Sequence, residues 1–126
     1  MRMRSVGPGQ AVLEMDVAPH HLNGHAICHG GFIFALADSA FAYACNSHNR
    51  RAVAQHNTIS FIAPARLGDR LTATAREITL SGRSGVYDVE VRRGDGALIA
   101  LFRGCSRTVR GTHIPEEFPE VQEDNS

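Results

Sequence analysis

Lysine is absent from this chain. All 13 basic residues are arginine, and 13 acidic residues balance them to a formal net charge of zero. A surface without a basic excess argues against bulk nucleic-acid binding, which rests on cations set against phosphates. Cysteine is scarce: Cys28, Cys45 and Cys105 are odd in number and far apart. That argues against a disulfide scaffold and fits a reducing compartment, so a cytoplasmic location is expected. No apolar run approaches the roughly 20 residues of a membrane span. The basic start at residues 1–5 is followed by no apolar segment, so neither a signal peptide nor a membrane partner is expected. Internal repeats and low-complexity tracts are lacking too. At 126 residues the chain is expected to form one domain with a real core over residues 1–111. An acidic, proline-punctuated tail at 112–126 is expected to fray.

What is present is one helical pattern among several strand patterns. In residues 11–17, Leu13, Met15 and Val17 fall on one side and Glu14 and Asp16 on the other, the alternation of a half-buried strand. From Gly31 to about Cys45 the period changes. Phe34, Asp38, Phe41 and Cys45 recur at helical spacing with Ala35, Ala37 and Ala42 beside them. The run is apolar almost all round, which predicts a buried helix. Strands are expected near 52–63, 71–80, 86–92 and 97–109, separated by Gly- and Asp-containing turns. Asp95-Gly96 is a hairpin signal, so the last three strands should form an antiparallel meander. The expected class is α+β: an antiparallel sheet of about five strands wrapped around one long central helix.

The chemistry concentrates at residues 20–42. A polar loop, His20-His21-Leu22-Asn23-Gly24-His25-Ala26-Ile27-Cys28-His29, runs through Gly30-Gly31 into the apolar helix, and Asp38 lies inside that helix. Glycines at a helix start leave backbone N–H groups open to a ligand oxygen. A lone carboxylate among apolar side chains is costly to keep charged, so it has a use or a partner. Other readings stay open on the residues alone. Asp38 as a structural acid is one. The histidines with Cys28 form a possible zinc set, but no matching Cys/His pair follows downstream and no metal is expected. The cysteines have no activating partner in the sequence and read as packing residues. Phe32, Phe34, Phe41 and Tyr43 read first as core.

The run His20, Leu22-Asn23-Gly24-His25, Cys28-His29-Gly30-Gly31, Leu36-Ala37-Asp38 and Ala40-Phe41-Ala42-Tyr43-Ala44-Cys45-Asn46-Ser47 resembles the phenylacetic-acid-degradation (PaaI) thioesterases, which have the hotdog fold. Phe61-Ile62-Ala63-Pro64-Ala65, Gly68-Asp69, Leu71-Thr72-Ala73-Thr74-Ala75, Gly85-Val86-Tyr87-Asp88-Val89-Glu90 and Ala100-Leu101-Phe102-Arg103-Gly104 extend the likeness. The resemblance implies hydrolysis of acyl-CoA thioesters, often aryl-acetyl ones, without metal or cofactor. It implies Asp38 as catalytic carboxylate and the Gly30 N–H as oxyanion donor. Asn23 would hold the thioester carbonyl or the water, and His29 would open the loop. It also implies dimers, often paired into tetramers. Relatives commonly set a serine or threonine near the site to orient water. Here the facing strand reads Ala52-Val53-Ala54-Gln55-His56-Asn57-Thr58, and Gln55, His56, Asn57 or Thr58 is left to supply that group.

Coenzyme A carries phosphates, which arginine suits. Arg66, Arg83, Arg103 and Arg107, with Arg50 and Arg51, are candidates, and Ser84 shares the Gly82-Arg83-Ser84-Gly85 turn whose N–H groups could cradle an anion. Gly31 and Thr58 complete the expected substrate-binding set. Two other classes remain open: a hotdog hydratase acting on β-hydroxyacyl groups, and an acyl-CoA-binding protein without hydrolysis.

Spacing adds a prediction about assembly. Gly30 and Asp38 are eight residues apart, about 12 Å along a helix. A carboxylate must come within roughly 3–3.5 Å of the carbon it attacks or serves. If both act on one thioester, they come from different copies, and the working unit is at least a two-fold dimer. Spacing leaves open whether Asp38 is nucleophile or general base.

Overall fold

The computed structural model describes residues 1–111 and 113; the rest of the acidic tail lies outside the described residues. Six strands and one α-helix follow in the order β1 Arg2–Gly7, β2 Gln10–Asp16, α1 Gly30–Cys45, β3 Ala52–Phe61, β4 Arg70–Ser81, β5 Ser84–Arg93 and β6 Leu98–Thr108. A 3₁₀ turn, Pro19–His21, precedes the helix. The strands form one sheet ordered β1-β2-β4-β5-β6-β3, antiparallel at every step. The expected meander is β4-β5-β6. Among the described residues no helix is long and apolar enough to cross a membrane.

The sheet has one strand more than the hydropathy pattern indicates. All of β1 but Gly7 is exposed, so it has no buried face to leave a period-two signature. It is held by its ladder to β2 and by ion pairs of Arg2 and Arg4 with Glu14 and of Arg2 with Asp16.

The helix lies on one face of the sheet and supplies Ile33, Leu36, Ala37, Ala40, Phe41 and Ala44 to the core. Small residues let the two layers approach closely. Ala73 and Ala75 of β4 are fully buried, and Gly104 of β6 lies under the Phe41 ring. A Cβ on Gly104 would sit 2.7 Å from two atoms of that ring, and the ring also packs edge-on against Tyr87 at 5.6 Å. Gly104→Ala should therefore destabilise the fold by about 1–3 kcal/mol, the range for overpacking a tight core. Urea unfolding would read this as a lower midpoint at unchanged slope.

The helix is less buried than its sequence suggests. Ala42, Tyr43 (48% exposed) and Phe32 (37% exposed) form a face that this chain leaves open. Strand β3 flanks the helix, running antiparallel to it. Asn46 Oδ1 accepts from the Ala52 N–H at 2.9 Å, Asn57 Nδ2 donates to Asp38 Oδ1 at 3.2 Å, and Gly30 lies against the Phe61 ring. Three contacts thus align the helix, end to end, along an edge strand.

Candidate active site

The loop before the helix is braced from within. The His21 O accepts from the His29 N–H at 2.7 Å, the Leu22–Cys28 bridge closes the loop, and the Cys28 N–H donates to the Ala65 O at 2.7 Å. Asn23 is its internal strut: Oδ1 accepts from the His25 and Ile27 N–H groups at 2.9 and 3.4 Å. Those donors fix the amide orientation. The Asn23 Nδ2 donor is left without a partner among the described residues. Phe32 packs edge-on against His21, with ring centres 4.8 Å apart, and His20 stacks at a tilt on His21 at 4.0 Å. Burial lowers the His21 pKa, and its Nδ1 accepts from the Ala18 N–H, so His21 is a neutral packing residue. Among the described residues no cluster of three or more His, Cys, Asp or Glu side chains is placed to hold a metal.

At the helix start His29 is the N-cap, with φ −63° and ψ 134°, and its Nδ1 accepts from the Gly31 N–H at 2.8 Å. The cap takes Gly31, so the Gly31 N–H is already engaged. Gly30 occupies the first helical position, where the N–H has no acceptor within the helix. A Cβ on Gly30 would come within 2.9 Å of the Phe61 ring, so the side chain is absent where β3 ends against the helix. The open N–H at the positive end of the helix dipole is suited to an oxyanion.

Asp38 is half-buried in the third turn of α1. Desolvation raises its pKa above the ordinary carboxylate value. Asn57 on β3 donates to its Oδ1, and the Asn57 Oδ1 is itself buried with no partner among the described residues. Of the four polar residues on the facing strand, Asn57 is the one that reaches the carboxylate. The thiols of Cys28 and Cys45 are pushed up by burial, Cys45 to about 11, which makes them packing groups rather than nucleophiles.

The remaining expected binding residues separate into groups. Thr58 follows Asn57 in the strand and points to the sheet's other face. It lines an outer groove there with Arg103. The Arg103 guanidinium is engaged by the Asp88 carboxylate through two contacts, 2.6 and 2.8 Å, and it holds the Asp88 pKa down. Arg83 and Ser84 lie at the β4–β5 turn, level with the beginning of β3 through Arg107. Arg66 stands at the opposite end, bridged to Ile27 of the loop, with a side chain that has no partner among the described residues. Gly30 and Asp38 lie on one helix, eight residues and about 12 Å of rise apart.

One helix cupped by an antiparallel sheet, with glycines at its open N-terminus and a carboxylate in its middle, defines a protein of the hotdog class. The profile of the thioesterase superfamily matches residues 25–100, and the chain belongs to that family. Within it, Escherichia coli acyl-coenzyme A thioesterase PaaI is 49% identical over 108 residues, 86% of this chain and 77% of the relative. The structure of E. coli PaaI, a protein from the phenylacetic acid degradation operon, aligns with TM-score 0.86 over 87% of this chain and 80% of its own. A mutant of the Thermus thermophilus phenylacetic acid degradation protein PaaI, 42% identical, aligns at 0.81 over 84% and 90%. A Streptococcus mutans protein bound to acetyl-CoA, 25% identical, aligns at 0.85 over 90% of both chains.

Proposed function

We propose that this protein hydrolyses acyl-CoA thioesters, with aryl-acetyl groups as the preferred acyl class, at sites shared between two copies of the chain. The observation that carries this is the pair of separated half-sites: an open Gly30 N–H at the helix start, and an Asp38 carboxylate anchored by Asn57 eight residues later. The kinship to a named acyl-CoA thioesterase supports the reaction, and the acetyl-CoA complex of a relative supports the ligand. Assembly is supported by two uncovered features. Among the described residues the outer edge of β3 pairs with no strand, the strand is largely exposed, and the helix carries an open apolar face. Pairing of such dimers into tetramers and a cytoplasmic site of action belong to the same reading.

In this reading the thioester oxygen of a bound substrate rests on the Gly30 N–H of one copy, where the helix dipole stabilises its developing charge. The Asn23 Nδ2 is the second donor to the carbonyl or to the water. Asp38 of the other copy either attacks the carbonyl carbon, displacing CoA and leaving an anhydride that water opens, or takes a proton from the water that attacks that carbon; in both routes the C–S bond breaks and the thiolate leaves with a proton derived from water. Its Oδ1 is held by Asn57, so Oδ2 does the chemistry. Arg66 is the arginine best disposed for a CoA phosphate: it is beside the loop and its side chain has no partner among the described residues, whereas Arg103 is bound to Asp88.

A panel of phenylacetyl-, short-chain acyl- and enoyl-CoA substrates tests the reaction. Thiol release, without hydration of the enoyl group, is expected. Hydration without thiol release would replace this reading with a hydratase. The pH profile provides a second test. Asp38 must be ionised, and desolvation raises its pKa, so kcat/KM should fall on the acid side at a pH above the ordinary carboxylate range. Asn57→Ala removes a donor that favours the charged form. The acid limb should move further up and kcat at neutral pH should drop about 10- to 100-fold, the worth of a hydrogen bond to a charged group. An unmoved limb would leave Asn57 with packing alone.

A further inference from the structure

We propose that Phe61 is a positioning residue for the reaction: its ring keeps water from the Gly30 N–H, and glycine stands at position 30 because that ring takes the place of a side chain. This rests on the thioesterase reading above and deepens it by naming what strengthens its oxygen-binding donor. Gly30 is the first residue of α1, and its φ is not positive; among the described residues the glycines with positive φ are Gly9, Gly68, Gly82, Gly96 and Gly111. Backbone conformation therefore does not call for glycine at position 30. Glycine is also a poor helix residue, so keeping it there has a cost that some gain must offset. What excludes a side chain is contact. A Cβ on Gly30 would lie 2.9 Å from the Phe61 Cζ, 3.2 Å from Cε1 and 3.4 Å from Cε2. The tip of the ring is nearest and the two ε carbons follow, so the ring points its edge at the glycine.

Helix geometry puts the ring on the side that matters. The Cα–Cβ direction tilts toward the helix N-terminus, and the N–H of the first helical residue opens at that same end. A ring in the place of a Cβ therefore stands beside the donor, where water would otherwise reach it. Charge interactions strengthen where water is excluded, so a shielded N–H acts more strongly on an oxygen that is gaining charge. The edge of an aromatic ring carries positive potential and does not oppose that charge.

The ring is held from behind. Phe61 is the last residue of β3 and pairs with Ala100 of β6. The Ile62 and Ala63 N–H groups then both donate to the Ile99 O, at 2.8 and 3.3 Å, and Pro64 follows. The backbone that carries the ring is thus pinned to β6, while the ring itself is 54% exposed. An exposed phenylalanine alone needs no explanation. Its approach to the glycine that bears the open N–H is what singles this one out. A second copy packed along β3 would enclose the ring further and leave this contact, which lies within one chain, in place.

The test measures kcat and KM for phenylacetyl-CoA and acetyl-CoA on the full chain, with thermal melting and size-exclusion chromatography beside them. Phe61→Ala should lower kcat about tenfold, a part of the 10²–10³ that loss of an oxyanion donor costs. The factor should be the same for both substrates, because the carbonyl is common to them, and KM should change less. Phe61→Leu keeps apolar bulk beside the donor and should recover most of the loss. Gly30→Ala keeps the N–H but pushes the ring aside, and it should lower kcat by a similar factor. The two losses should not multiply. In the Gly30→Ala/Phe61→Ala double variant the new methyl group fills part of the space the ring leaves, so kcat should stand above the product of the single losses. Should Phe61→Ala fail to fold, Gly30→Ala gives the reading with β3 unaltered. Full kcat in either folded single variant overturns the proposal. A loss confined to the aryl substrate also overturns it, because Phe61 would then line the acyl site. So does a loss that follows dissociation of the assembly and disappears at high protein concentration, because Phe61 would then be an interface residue. Absence of thiol release from every acyl-CoA with the unaltered protein would instead overturn the thioesterase reading.

Discussion

Asp38→Asn is expected to lower thiol release from acyl-CoA by about 10²–10⁴-fold, the span of a positioned acid or base, while the protein stays folded. Asparagine keeps the size of the side chain and keeps an oxygen for the Asn57 Nδ2 to bond, so the 3.2 Å contact between helix and strand has no cause to break. What is lost is the charge and the proton-accepting capacity. The stability change should run opposite to the activity change. Desolvation raises the folded-state pKa of Asp38, so its contribution to stability is full at low pH, below the unfolded value, and is lost as pH rises through the folded value. At neutral pH the ionised carboxylate is therefore a net cost to the fold. The neutral amide removes that cost, and the Tm at pH 7 should equal or exceed that of the unaltered protein. The difference should shrink as the pH is lowered to where Asp38 itself is protonated. Retention of full activity by Asp38→Asn would remove Asp38 from the chemistry.

The same residue shows what the amino-acid pattern carries and what it does not. A carboxylate inside an apolar helical run, eight residues after glycines at a helix start, is visible because both the period and the anomaly are local. The helix and the β4-β5-β6 meander are legible for the same reason, since Val89, Val91 and Tyr87 alternate with Asp88 and Glu90. Strand β1 is hidden because it buries no face, and pairing with β2 alone fixes it. Asn57 is hidden by a different cause. The β3–β6 register shifts between Ala54 and His56, so the parity of the strand changes at Gln55. Alternation counted from Ala52 then cannot tell which of His56, Asn57 and Thr58 faces the helix. The binding arginines are harder still. Which of them is occupied depends on a cross-strand partner such as Asp88, and ion pairs between β5 and β6 leave no periodic trace. The open face of the helix is a further limit. An almost uniformly apolar run predicts full burial, yet Ala42 and Tyr43 are uncovered in this chain, and the run alone does not say whether its own sheet or a second copy would cover a given residue.

That ambiguity is settled by mixing copies. Asp38→Ala and Gly30→Pro should each be nearly inactive alone, and together they should recover activity. Proline suits this purpose. It removes the Gly30 N–H, and the first helical position tolerates it. The preceding residue, His29, already has the extended conformation that proline demands, φ −63° and ψ 134°. Its ring must displace Phe61, which is 54% exposed and has room to yield. Loss of one oxyanion donor alone should cost about 10²–10³ in rate. In a shared site, a mixed dimer holds one site with both defects and one with neither. Random pairing makes half of the dimers mixed, each with one of two sites intact, so about a quarter of the unaltered activity should return. If instead each chain supplied both Gly30 and Asp38 to its own site, every site would carry one defect, and verified mixed dimers would stay at the level of the parents. The two outcomes differ by about the full effect of a single substitution, large enough to separate a helix that serves one site from a helix that serves two.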